Sequence, residues 1–251
     1  MPEVIMLGTG RALPTASQEN TYLALSGPQS LILIDCAGAP YRRMLKARLD
    51  PVRLSALIIT HFHPDHAYGV PSLLLSLWLA GRKEPLDLHA PEDALARVQD
   101  TIQLYDPHTW PGMFSVIYHP IAMSPGAPVL TDDDFTITAS PGLHFIPTVG
   151  LRVTDRTTGL SLVYSSDTEP SAEIIDFARD ADLLIHEASG AGQGHSSAAQ
   201  AATMARDAFA RRLMLTHYDR TATPPGAMRR QARAVFPGEV IVAKDFDRFT
   251  W

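Results

Sequence analysis

The chain has 251 residues, 45% of them hydrophobic and 19% charged, which suits one large globular domain over residues 1–251 with a substantial core. A net charge of −6 and a pI near 5.9 argue against a protein that holds long nucleic acid along a broad basic face, but allow one that meets a few phosphates at a metal centre. The single cysteine, Cys36, excludes an internal disulfide and suits a reducing, cytoplasmic setting, and no leader or membrane-length apolar run is read.

In chain order, Val4 to Leu7 reads as a short strand running into Gly8-Thr9-Gly10, which by itself indicates a tight turn. Asn20–Leu25 and Leu31–Asp35 read as a hairpin across Ser26-Gly27-Pro28, followed by a helix over Tyr41–Arg48. Leu57-Ile58-Ile59 is a buried strand, and Gly69–Leu79 a helix apolar on most faces. A strand at Leu86–His89 and a helix at Pro91–Leu104 follow, with the proline as first residue. Prolines and glycines thicken from Asp106 to Pro128, where short strands alternate with loops. Strands are then expected at Phe135–Ala139, Val149–Val153, Leu160–Tyr164, Asp182–Ile185, Leu213–Leu215 and Glu239–Ala243. Helices are expected at Ser171–Ala178, Ser196–Phe209 and Pro225–Val235. The recurring unit is a strand, a ligand-type residue at its end, then a helix.

The densest stretch of chemistry is Thr60-His61-Phe62-His63-Pro64-Asp65-His66, a loop at the end of a buried strand. Imidazole and carboxylate together suit zinc and similar divalent ions. One short loop cannot wrap all four donors around a single ion. His61 and His63 are free to point one way while Asp65 and His66 point the other, which suggests two neighbouring ions. Later strand ends carry His144, Asp167 and His217, each unremarkable alone. Cys36 reads as a small buried residue rather than a nucleophile. His89 and His108 belong to no motif.

His-x-His-x-Asp-His after an apolar strand resembles the signature of the metallo-β-lactamase superfamily of dinuclear metal hydrolases. Thr60 before the motif, and Gly69-Val70-Pro71-Ser72-Leu73-Leu74 after it, are similar to the ribonuclease Z branch. So are His144 to Arg152, Ser165-Ser166-Asp167-Thr168, and His186-Glu187-Ala188-Ser189 followed by Gly194-His195-Ser196-Ser197. The resemblance implies an α/β fold, a four-layer αββα sandwich. It places His61, His63 and His144 on one ion and Asp65, His66 and His217 on the other, with Asp167 shared between them; His119 is the competitor for the place of His144. Zinc is the expected metal, with manganese or iron accepted by the same donors, and a shared water would be activated between the ions. Asp65 would orient that water. His195, paired with Glu187, would protonate the leaving oxygen, and His186 would face away. Arg220 would contact phosphate, although the family's arginine falls one position later.

The implied activity is phosphodiester hydrolysis of a small or short substrate, RNA included. The alternative is a carbon ester or lactone hydrolysed at the same site. A flavodiiron-like redox role is disfavoured, because that branch replaces a histidine of the loop with a carboxylate. Relatives that mature transfer RNA carry a long Gly/Pro-rich arm between the segments corresponding to Gly150 and Asp167. Here Asp155-Arg156-Thr157-Thr158-Gly159 joins those strands directly. The relatives are commonly homodimers, and no membrane association is expected.

Overall fold

A computed structural model describes residues 2–251. Two seven-stranded mixed sheets face each other. The first contains β1 (Glu3–Gly8), β2 (Tyr22–Ser26), β3 (Leu31–Ile34), β4 (Ala56–Ile58), β5 (Leu86–Pro91) and β6 (Val116–Ile121), side by side in chain order. The second contains β7 (Ala127–Thr131), β8 (Phe135–Pro141), β9 (Val149–Asp155), β10 (Ser161–Tyr164), β11 (Leu183–Glu187), β12 (Arg212–Thr216) and β13 (Glu239–Val242). Each sheet begins as an antiparallel meander and continues with parallel strands: β3 to β6 in the first, β10 to β13 in the second.

Parallel strands require crossovers, and the helices supply most of them. α1 (Pro40–Lys46), the short α2 (Pro64–Ala67), α3 (Val70–Leu79) and α4 (Glu92–Gln103) belong to the first half; α5 (Ala172–Phe177), α6 (Ala198–Asp207) and α7 (Pro225–Arg233) to the second. The apolar residues sort into three clusters that define the layers. Leu33, Leu57 and Leu88 pack outward on Met44, Leu73 and Val98 of the first helices. Ile32, Ile34 and Ile58 pack inward on Phe135, Leu162 and Ile185 of the opposite sheet. Leu184, Leu213 and Leu215 pack outward on Ala201, Ala205 and Met228. Alternate residues of one strand thus serve different layers, as the pleat dictates. The result is the four-layer αββα sandwich expected from the sequence.

Two features exceed that expectation. The proline-rich segment resolves into β6 and β7, which carry the chain from the edge of the first sheet to the edge of the second. After β13 the chain crosses back, and the short β14 (Arg248–Phe249) pairs antiparallel with β1. No helix among the described residues is long and apolar enough to cross a membrane.

Candidate active site

Strands β4, β10, β11 and β12 end on the same side of the sandwich, and their following loops meet between the two sheets. His63 caps α2 in extended conformation and Pro64 opens that helix, which puts Asp65 and His66 in its first turn while His61 and His63 precede it. Asp65 and His66 thus sit on a helical turn while His61 and His63 sit in the segment before it. His144 arrives from the loop after β8, Asp167 from that after β10, and His217, at φ 50°, from the end of β12.

His61 Nε2 and His144 Nε2 lie 3.1 and 3.0 Å from His63 Nδ1. On the other side His217 Nε2 and His66 Nε2 lie 3.3 and 3.5 Å from Asp65 Oδ2. Asp167 stands between, with Oδ2 3.5 Å from His66 Nε2 and 4.0 Å from His144 Nε2. His119 is elsewhere, on β6, bonded to Asp87 and stacked on His89.

Four of the five imidazoles are aimed by their other nitrogen. His66 Nδ1 donates to Asp35 Oδ2 at 2.8 Å, His144 Nδ1 to the Gly194 carbonyl at 2.6 Å, and His217 Nδ1 to Ser189 Oγ at 2.7 Å. His61 Nδ1 donates to Thr60 Oγ1, which in turn donates to Asp35. With Nδ1 protonated, the Nε2 lone pairs of these four residues converge, the arrangement metal-binding histidines adopt. Asp35 was legible in the sequence as a strand end but not as the anchor of this network. Ser189 and Gly194 lie inside motifs quoted from the sequence, but nothing there marks the Ser189 hydroxyl as the partner of His217 or the Gly194 carbonyl as that of His144.

The electrostatics agree with a cation. His61, His63 and His144 are held below the usual imidazole range, burial being the first cause in each. Asp167 stays ionised: burial alone would raise its pKa, but His217 and His66 outweigh it. For His66, burial is likewise overridden, by Asp167 and Asp35, and its pKa rises. His66 Nε2 and Asp167 Oδ1 are buried with no hydrogen-bond partner, an orphaned pair of donor atoms at the middle of the cluster. Buried imidazole nitrogens and carboxylate oxygens facing one another are a donor set that fits divalent cations.

Beside the cluster, His195 Nδ1 donates to Glu187 Oε1 at 2.9 Å. Glu187 is fully buried and also accepts from the backbone N–H groups of Thr168, Ser189 and Ser196. Burial would lower the His195 pKa, but the hydrogen bond and charge of Glu187 raise it on balance. The loop that carries His195 is fixed at its exit by a capping box, Ser197 with Gln200, at the start of α6. His186 turns away into the helix layer, with Nε2 3.2 Å from Met204 Sδ. Cys36 is buried in the outer core.

A cavity of about 360 Å3 opens against His195 and His217 and is lined by Arg11, Leu13, Ser189 and Gly192. Arg11, bonded to Asp219 at 2.8 Å, is the arginine on this cavity. Arg220, which the sequence singled out, is exposed and directed at Ser17 Oγ.

This fold and this convergence of imidazoles and carboxylates define a class, the metal-dependent hydrolases of the αββα type. The sequence profile described as "Beta-lactamase superfamily domain" matches residues 31–218. Ribonuclease Z of Methanothermobacter thermautotrophicus is 30% identical, over 94% of this chain and 93% of the relative. Two solved structures superpose with a TM-score of 0.81 at 26% identity: human tRNase Z, short form, and the metallo-β-lactamase fold protein YhfI of Bacillus subtilis. Each covers 99% of this chain and 98% of its own. The chain belongs to the metallo-β-lactamase superfamily, in its ribonuclease Z-like branch, and is a metal-dependent hydrolase.

Proposed function

We propose that the chain is a dinuclear phosphodiesterase acting on RNA or another short phosphodiester. His61, His63 and His144 would hold one divalent ion and Asp65, His66 and His217 the other, with Asp167 placed to serve both. Bound ions of this kind lower the pKa of coordinated water towards ~7 and neutralise charge on the attacked phosphoryl group. Asp65 positions the attacking water. His195 donates its proton to the leaving oxygen, and Glu187 keeps the imidazole charged and oriented until it does.

The observation that carries this reading is the His195–Glu187 pair. A proton donor of raised pKa stands between two of the convergent histidines, with ring centroids 5.0 Å from His144 and 5.8 Å from His217, and it lines the cavity. An alkoxide leaving from phosphorus needs such a donor; a good ester leaving group needs it less. Curated relatives named ribonuclease Z support RNA as the substrate.

The short hairpin between β9 and β10 supports a small substrate. Ser161 pairs with Thr154, and Asp155 closes the turn by accepting from the Thr157 N–H and the Thr158 hydroxyl. No protruding arm leaves the body here. The alignment to the archaeal ribonuclease Z runs over 291 residues, more than this whole chain, so that relative carries segments this one lacks. A short or unstructured phosphodiester therefore suits the chain better than a large folded RNA held at a distance.

The test is hydrolysis of a chromogenic phosphodiester and of a short single-stranded RNA by protein whose zinc and manganese content is measured. Turnover of the short RNA that falls ~100-fold or more in His195→Ala, with a smaller fall on the chromogenic diester, whose leaving group needs less protonation, and with metal content retained, is the expected result. A protein that holds two ions yet cleaves esters or lactones and no phosphodiester would overturn the reading.

A further inference from the structure

We propose that Phe145 is a stacking platform for the nucleobase adjacent to the scissile phosphate, a specificity element that rests on the phosphodiesterase reading above. Phe145 directly follows His144 and is 56% exposed. Its ring centroid lies 5.1 Å from that of His144, 6.1 Å from His195 and 6.5 Å from His63. It belongs to none of the three apolar clusters of the core.

Single exposed aromatics are common and carry no meaning by position alone. This one is held. Its ring edge rests on the bare backbone of Gly194, where a Cβ would come within 2.5 Å of Phe145 Cε2 and 2.8 Å of Cδ2. Gly194, at φ 76°, is itself tied down at both polar groups: its N–H donates to Glu169 Oε1 at 2.8 Å and its carbonyl accepts from His144 Nδ1 at 2.6 Å. The same glycine thus aims a convergent histidine and seats the aromatic ring beside it. Any side chain at position 194 would push the ring off its seat.

A planar apolar ring fixed next to a phosphodiester-cleaving centre recognises what every nucleotide carries next to its phosphate, an aromatic base. Stacking of a base on an aromatic side chain is strong and tolerant of sequence. It also needs no basic surface. A chain of net charge −6 without an arm has few other means of holding RNA near its site. Bases offered for stacking are unpaired, so the occupant is single-stranded RNA.

The probe is a labelled short single-stranded RNA with phosphorothioate linkages that slow cleavage, compared with the same strand carrying abasic sugars. Binding is followed by fluorescence anisotropy with metal-loaded protein. Wild type is expected to prefer the strand with bases, and Phe145→Ala to reduce that preference roughly 5- to 100-fold. Phe145→Trp should preserve it, with quenching of the new indole on binding. Phe145→Leu keeps apolar bulk without a π-face and should behave as Phe145→Ala does. Equal affinity of wild type for the two strands, or a preference unchanged in Phe145→Ala or retained in Phe145→Leu, overturns the proposal. Metal content and Tm of each variant separate a lost platform from a damaged site. Base-dependent binding by metal-loaded protein that cleaves neither unmodified RNA nor a chromogenic diester would overturn the phosphodiesterase reading and leave Phe145 as a base-binding platform.

Discussion

Replacing Glu187 by Gln tests whether the buried carboxylate acts through His195 or only as structural cement. Oε1 accepts from His195 Nδ1, Thr168 N–H and Ser196 N–H at 2.9, 3.2 and 3.1 Å, and Oε2 accepts from Ser189 N–H at 2.9 Å. A glutamine keeps one acceptor oxygen. If that oxygen serves the three donors, its amide group confronts the Ser189 N–H, donor against donor. One buried N–H then loses its partner, at a cost of about 1–3 kcal/mol. For a chain of this size that is a fall in Tm of roughly 2–12 °C, read by thermal denaturation. The imidazole also loses its counter-charge. We expect His195→Ala to lower kcat by about 10²- to 10⁴-fold and Glu187→Gln by a lesser factor. The double variant should be no slower than His195→Ala alone, because a positioning residue has nothing left to position. Metal content must be measured alongside, since Ser189 also holds His217. If the two rate penalties multiply in the double variant, or if Glu187→Gln loses stability and no activity, Glu187 does not work through His195.

Asp35→Asn should weaken metal retention by about 10- to 100-fold in chelator competition, because Asp35 orients both His66 and the Thr60 hydroxyl behind His61; unchanged retention would remove Asp35 from that role. Metal removal should destabilise the whole sandwich: free ion at a thousandfold excess over Kd adds about 4 kcal/mol, so EDTA should lower Tm by roughly 8–16 °C, and a Tm indifferent to chelation would mean that the cluster holds no ion. A third expectation lies away from the site. His89, stacked on His119 and near Asp87, is pushed down to about 4 by burial first and His119 second. The unfolded chain, with an ordinary imidazole near 6.5, takes up a proton across that window that the folded chain refuses, so stability falls as pH drops from about 6.5 towards 4. Between pH 7 and 4.5 this one group should cost about 2 kcal/mol. Urea denaturation of His89→Gln should show a shallower decline than wild type, and parallel declines would refute the assignment.

What could be read from the sequence was what local pattern encodes. The parallel strands β3, β4, β10, β11 and β12 are buried on both faces and appear as short unbroken apolar runs, so their positions were plain. β6 and β7 were indistinct because they are edge strands, half exposed and interrupted by Pro120 and Pro128, which an edge tolerates. β14 spans two residues and exists only because β1 offers an open edge, which no window of sequence can show. The site divides in the same way. His61, His63, Asp65 and His66 sit in one loop, so their chemistry is visible as density. His144, Asp167 and His217 are single residues whose placement came from family resemblance alone. The parts played by Asp35, Ser189 and Gly194 are not legible in the sequence, because what they contribute is position. Asp35 reaches His66 only because β3 lies parallel to β4, with Ile34 opposite Ile58, so that both strands end together. Gly194 contributes a carbonyl and the absence of a side chain. The ligands of such a centre are chosen by side-chain chemistry and leave a trace in the sequence; the groups that aim them are chosen by where the backbone passes, and become visible only when the sheets close.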